Sequence, residues 1–365
     1  MLFLAAPGTV SGFEIVPEVQ AMQQIISRLW PQIAVCLVLL WPAQPALAVV
    51  VPDLYSATAT AIDRSQEERV EAFRNALATV LVKVSGDRQV TSNPATVDLL
   101  DNAQGYLQQY RYTESGDIWA AFDGESLERA MRNIGLPVWG RDRPAVLLWL
   151  AVDWGGGRRG IVTADQDTQL RASIQRVADS RGMPIVFPLF DSEDRDLMSF
   201  SDLWGGFSEK IDAASARYAP GAVLVGRASR GSGSRLFVRW QLDFGGIRES
   251  WEGGLSPGLH QAASLLAQRF ATRAGSSSAS TVLAVSGIDS FADYAEVSAY
   301  LEKLSVVSAI SVQQVAADTV LFGVQLQGDP AQLFRILDLN ATVVPYEPEL
   351  DSRLADGAVY YRFAR

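Results

Sequence analysis

Residues 145–152 read Ala-Val-Leu-Leu-Trp-Leu-Ala-Val, eight apolar residues without a break. A strand with one wet face alternates polar and apolar side chains, so an unbroken run of this length predicts a strand covered on both sides. Arg143 and Pro144 precede it and a glycine-rich turn follows. Downstream, residues 168–180 place Leu170, Ile174 and Val177 at helical spacing with Gly182 as a stop, residues 184–190 predict a short apolar strand, and residues 207–218 a helix. Three strands at 222–229, 235–244 and 247–252 are then expected, joined by Gly/Ser turns in hairpin style, with a closing helix over 259–273. The middle strand alternates. Leu236, Val238, Trp240, Leu242 and Phe244 share one face; Arg235, Phe237, Arg239, Gln241 and Asp243 share the other, so one face packs and the other meets water or a partner. Residues 141–274 are thus expected to form a central mixed-sheet α/β unit.

On the amino-terminal side, residues 49–140 predict an α+β unit. Ser65 and Glu68 have capping-box spacing, and Val70, Phe73, Leu77, Val80, Leu81 and Val84 recur at three- and four-residue steps before Gly86. Asn93 and Pro94 open a second expected helix carrying Val97, Leu100 and Leu107; residues 110–123 predict strand with a turn at Gly116, and residues 125–134 a helix stopped by Gly135. On the carboxyl side, residues 275–280 (Gly-Ser-Ser-Ser-Ala-Ser) have linker composition. Residues 281–365 then predict the order βαββαβ of a ferredoxin-like module.

The first 48 residues differ from the rest. Arg28 precedes the apolar run 33–41, which ends in Pro42 and then Pro45-Ala-Leu-Ala48, the pattern of a secretory signal peptide with cleavage after Ala48. Met22 fits as the natural start, with residues 1–21 as an upstream extension and 22–48 as the signal peptide; an uncleaved anchor is the alternative. The single cysteine, Cys36, lies in that run, so the remainder has no thiol for a disulfide, a nucleophile or a metal. The 31 basic and 41 acidic residues fall to 30 and 39 once Arg28, Glu14 and Glu18 leave with the signal, a balance that disfavours nucleic acid. The expected location is the periplasm, with membrane contact only through the signal segment.

Catalytic signatures are sparse. His260 is the single histidine, expected in the first turn of the closing helix, and no G-x-S-x-G or S-x-x-K accompanies it. Gly155, Gly157 and Gly160 satisfy G-x-G-x-x-G, but Ile161, Val162 and Thr163 follow where a helix must begin, so a hairpin tip is expected. Asp191, Glu193, Asp194 and Asp196 follow a strand end without calcium-loop spacing, which predicts a solvated loop. No catalytic residue, cofactor or metal is expected. Arg227, Arg230, Arg235 and Arg239 lie on adjacent expected strands beside Phe237, a forked guanidinium row able to grip carboxylate or phosphate; an ordinary exposed face balanced by Asp243 and Glu249 is the alternative.

Three stretches carry a family resemblance: Leu81-Val-Lys-Val-Ser-Gly86, Tyr106-Leu-Gln-Gln-Tyr-Arg-Tyr112, and Leu136-Pro-Val-Trp-Gly-Arg-Asp-Arg-Pro144 leading into Leu147–Leu150. Together they resemble the Gram-negative secreted proteins grouped as domain of unknown function 2066, a likeness that implies no activity or cofactor. The layout of residues 218–251 is similar to envelope accessory domains such as penicillin-binding-protein activators and the amino-terminal domain of TolB, a fold-level likeness only. The expected function is a non-enzymatic periplasmic adaptor binding another envelope protein or a cell-wall polymer. Two alternatives stay open: a glycan hydrolase using two carboxylates such as Asp153 and Asp191, and a small-ligand binding protein with a deep apolar pocket.

Overall fold

The structure, a computed structural model, describes residues 48–364 except 52, 167, 232–234, 273–277, 305, 328–329, 340–341, 349–353 and 356. The expected upstream extension and signal peptide lie outside the described residues but for Ala48, as do positions 275–277 of the expected linker.

The first unit is built around one helix. After strands β1 (Ala48–Val50) and β2 (Ser56–Ala59), helix α1 runs Gln66–Ser85. The Ser65 hydroxyl accepts from the Glu68 N–H at 3.2 Å, while the Glu68 carboxylate accepts from the Ile62 N–H, so only half of the capping box closes. Gly86, at φ 67°, returns its N–H to the Val82 carbonyl. Phe73, Leu77, Val80, Leu81 and Val84 are buried as the spacing predicts, whereas Val70 lies outside the stripe and is exposed. The second expected helix is fragmented. A 3-10 turn at Pro94–Thr96 leads into α2 (Val97–Asp101), and a further 3-10 turn, Ala103–Tyr106, ends it before Leu107 opens strand β3 (Leu107–Tyr112). Strand β4 (Ile118–Phe122) and helix α3 (Gly124–Asn133), capped by Asp123, complete the unit. Its antiparallel sheet has order β2-β4-β3, and α1 packs its stripe on Ile118, Ala120 and Phe122.

The central unit bears out the doubly covered strand. Strands β5 (Asp142–Pro144), β6 (Val146–Gly155) and β7 (Arg158–Ile161) lead to helix α4 (Gln169–Ser180) and β8 (Ile185–Val186). Then come α5 (Ser192–Leu197), α6 (Phe200–Gly205), α7 (Ser208–Ala216), β9 (Ala222–Arg230), β10 (Leu236–Phe244), β11 (Ile247–Gly254) and α8 (Leu255–Phe270). The sheet order is β11-β10-β9-β6-β7, with β8 beside β6; β6 is parallel to β8 and β9. Leu148, Leu150 and Val152 enter the core under α4 and α8, and Leu147, Trp149 and Ala151 enter the core under α5–α7. The strand expected over 184–190 shrinks to Ile185–Val186, because prolines at 184 and 188 carry no N–H for a ladder.

The last unit comprises β12 (Ser278–Ser286), α9 (Phe291–Lys303), β13 (Val307–Ala316), β14 (Thr319–Gln327), α10 (Pro330–Leu339), β15 (Val343–Pro345) and β16 (Val359–Phe363). Ser278–Ser280, expected as linker, pair with β14 instead. The sheet order is β13-β14-β12-β16-β15. Where βαββαβ was expected, a second strand follows the second helix, and β16 inserts parallel to β12, between it and β15.

Two buried arginines join the first and central units. Arg143 is fully buried with its guanidinium 4.0 Å from the Trp139 ring. It donates to the carbonyls of Gly140 (2.9 Å), Gly182 (2.8 Å), Arg181 (3.1 Å), Trp139 and, across the joint, Lys83 (2.8 Å). Arg181 donates to the carbonyls of Gly86 (2.7 Å) and His260 (3.0 Å) and to the Ser264 hydroxyl. Burial pushes Arg143 down to about 9 and Arg181 to about 10, so both remain charged at neutral pH. Two glycines allow the approach. A Cβ on Gly86 would meet the Ala267 Cβ at 2.2 Å, and one on Gly182, at φ 58°, would meet the Arg143 Nη1 at 2.7 Å. Strand β1 pairs antiparallel with β5 at the same joint.

Candidate functional site

Helices α5–α7 cover β6 and β9 but leave the adjoining face of β10 and β11 to solvent. The reason is visible in the strands: Leu147, Trp149, Ala151 and Val225 supply apolar partners there, whereas β10 presents Phe237, Arg239, Gln241 and Asp243. The antiparallel register places Arg239 directly opposite Arg227 on β9, with Glu252 opposite on β11. Cβ atoms of such cross-strand pairs lie about 5 Å apart, close enough for two like charges to repel.

Neither arginine has an ion pair among the described residues. Arg227 is half-buried, and a Cβ on Gly206, the left-handed cap of α6, would meet its Nη1 at 2.6 Å. Its Nε, like that of Arg181, is buried with no hydrogen-bond partner among the described residues. Burial, and then the Arg239 charge, holds this guanidinium below its ordinary range. Phe237 is 46% exposed one register step from Arg239, and Phe207, next to Gly206, is 58% exposed. The face therefore offers two adjacent forked donors bordered by aromatic rings, a chemistry that suits carboxylate or phosphate.

Of the residues the sequence singles out, the structure brings together Arg227, Arg239 and Phe237. Arg230 does not join them. It lies three residues beyond Arg227 and so points to the opposite face, opposite Leu236, because side chains in a strand alternate. Arg235 is exposed just before β10 begins, at the mouth of the hairpin. Asp243, expected to balance the row, is instead bound by Arg248.

The acidic cluster is not a solvated loop. Asp191 caps α5, and Asp194 is fully buried, accepting from the Phe190 N–H (2.8 Å), the Tyr218 hydroxyl (2.5 Å) and Arg217 (3.3 Å). Asp191 itself takes two bonds from Arg217. Those bonds hold the Asp191 carboxyl below its usual range; the Gly155 N–H and Arg159 do the same for Asp153. A general acid needs the reverse shift. The glycine-rich turn is a hairpin tip between β6 and β7, with Gly155, Gly156 and Gly157 all at positive φ. His260 lies in the second turn of α8, partly buried with Nδ1 3.4 Å from Arg181, and burial pushes its imidazole down to about 4. No group of three or more His, Cys, Asp or Glu among the described residues is placed to hold a metal ion.

One feature had no counterpart in the sequence reading. A cleft of about 610 Å³ opens in the first unit, lined by Tyr55, Gln109, Trp119, Asp123, Glu125 and Arg141 among others. The Arg141 guanidinium lies 5.0 Å from the Tyr55 ring, and the Tyr55 hydroxyl donates to the Glu128 carboxylate. Its residues come from four separate segments, so no local spacing marks it.

The family described as Domain of unknown function (DUF8605) matches residues 48–140. No curated protein and no solved structure matches the chain. What this chain is similar to is thus the family at residues 48–140, which supply every lining residue of the Tyr55 cleft except Arg141, whereas the Arg227–Arg239 face lies outside the matched residues.

Proposed function

We propose that the chain is a non-enzymatic adaptor of the bacterial cell envelope, exported by residues 22–48, that grips anionic groups of another envelope protein or a cell-wall polymer on the open β9–β10 face. The observation that carries this reading is the Arg227–Arg239 pair, set side by side on a face the helices leave open and matched by no ion pair among the described residues. Like charges opposite each other in a sheet destabilise it. An anion bridging the two guanidinium groups removes that penalty.

Fluorescence anisotropy with a labelled oligoglutamate peptide, and competition by soluble peptidoglycan fragments, tests it. The Arg227→Ala/Arg239→Ala double variant should bind about tenfold or more weakly, the size of effect expected for charge-assisted bonds. Arg176→Ala, an exposed arginine on α4, should leave binding unchanged. Undiminished binding by the double variant sinks the reading.

A second reading rests on the cleft around Tyr55, Trp119 and Arg141, whose volume lies in the range of small-ligand sites although its lining is polar instead of apolar. Small polar ligands that raise the melting temperature of the wild type but not of Trp119→Ala would support it.

A further inference from the structure

The edges of the described sheets differ in how they are guarded. An exposed edge strand carries unpaired N–H and C=O groups and invites another strand, and proteins blunt such edges with charge, proline or brevity. Strand β11 carries Arg248, Glu249 and Glu252; β7 carries Arg158 and Arg159; β3 carries Arg111; β15 has three residues ending in Pro345; and β2 has four residues. Strand β13 has none of these three, and its guard is limited to two register shifts against β14, at Val307/Ala309 and at Val312/Gln314. Its ten residues, Val-Ser-Ala-Ile-Ser-Val-Gln-Gln-Val-Ala, hold no charge and no proline. Beyond Val307, whose N–H is held by the Leu304 carbonyl, no outer main-chain group of β13 has a main-chain partner among the described residues.

We infer that β13 pairs antiparallel with β13 of a second copy of this chain, across a two-fold axis at Ser311. The register follows from the sheet. Ile310 and Val312 lie opposite Val324 and Phe322 of β14, both of which belong to the core under α9 and α10, while Ser311 lies opposite Gly323 on the other face. A two-fold axis perpendicular to the sheet keeps each face on its own side, so directly opposed residues must share a face. Centring it on Ser311 sets Ile310 of one copy opposite Val312 of the other, covering a Val312 side chain that is 43% exposed. The two Ser311 hydroxyls then meet on the polar side.

Self-pairing is the favoured occupant because of charge. A two-fold pairing of β11, β7 or β3 sets like-charged residues near their own copies, which is unfavourable. The same operation on β13 opposes no charged residue of the strand to another. Register shifts between Val307 and Ala309 and between Val312 and Gln314 bend the strand, but Ala309–Val312 between them keeps a regular ladder to β14. The dimer joins two five-stranded sheets into one. It uses a surface separate from the Arg227–Arg239 face and stands or falls independently of it.

Sedimentation equilibrium of the purified chain over a range of concentrations tests the pairing. The wild type should sediment at twice the mass of the single chain, dissociating on dilution. Ser311 is exposed, so Ser311→Lys and Ser311→Glu should fold, as circular dichroism will check, and each should be monomeric because the substituted residue faces its own copy. Mixing the two variants should restore a dimer, since lysine then faces glutamate. A wild type that is monomeric throughout overturns the proposal. So does a Ser311→Lys chain that remains dimeric, or a mixture of the two variants that stays monomeric.

Discussion

Two pairs of arginines in this protein face the same problem and solve it differently. Arg143 and Arg181, buried where the first and central units meet, have no carboxylate partner among the described residues, yet main-chain carbonyls accept five bonds from Arg143 and two from Arg181, whose Nε alone stays unpaired. Arg227 and Arg239, side by side on the open sheet, have neither a carboxylate ion pair nor a carbonyl acceptor among the described residues, although Glu252 lies opposite Arg239. Burying a charge is tolerable when fixed dipoles surround it. Holding two like charges together in water's reach brings no gain to the fold. The contrast separates guanidinium groups that serve architecture from those available to something outside the chain.

Loss of the Arg143 guanidinium has the largest expected effect on stability. Arg143→Met retains apolar bulk against Trp139 but leaves five carbonyls without their donor, so the chain should lose about 3 kcal/mol or more in urea unfolding. Oligoglutamate binding by the folded fraction should be unchanged. A loss below about 1 kcal/mol would falsify the architectural role.

Acidification tests the buried pair more gently. His260 sits against Arg181, and its folded value of about 4 lies below the ordinary imidazole value near 6.5. Above 6.5 the ring is neutral in both states. As pH falls from about 6.5 to 4 the unfolded chain takes up the proton and the folded chain resists it, so stability is lost across that window. The ring is partly exposed, which limits the loss to about 1 kcal/mol. Unfolding curves at pH 7.5 and 5 should differ by this amount more in the wild type than in His260→Gln; equal slopes count against it.

A milder change is expected on the open sheet face. Arg239→Gln removes the repulsion from Arg227 and, on the other side, only a Glu252 neighbour with which Arg239 forms no ion pair among the described residues, so it should raise stability by about 0.3 kcal/mol at most, read from the urea midpoint, while anion binding weakens. A substitution that stabilises the fold and impairs binding marks a residue retained for use outside the fold. A destabilising Arg239→Gln would return Arg239 to the architectural class.

Much of this architecture is legible in the sequence because period and punctuation are local. The run 145–152 divides its alternate residues between two cores, and α1 runs from Ser65 to Gly86 where its caps place it. The failures share a cause. The acids at 191–196 look solvated until Arg217 and Tyr218 arrive from more than twenty residues away, although Asp191 followed by Glu193 and Asp194 is itself a helix-start pattern. In the site, strand alternation alone separates Arg230 from Arg227; the facing of Arg227 and Arg239 needed the hairpin register, which no single strand contains.

The close approach at Gly86 and Gly182 also sets where this chain can be cut. Residues 48–140, excised alone, leave behind the β5 strand that pairs with β1, the Arg143 donor to Lys83 and the Arg181 donor to Gly86. Such a fragment presents bare carbonyls and the uncovered Gly86 surface that Ala267 normally fills. An excision that retains the whole central unit through α8 keeps every one of these contacts, so the smallest transplantable piece carrying the first unit ends near Thr272, whose N–H pairs back to Val138.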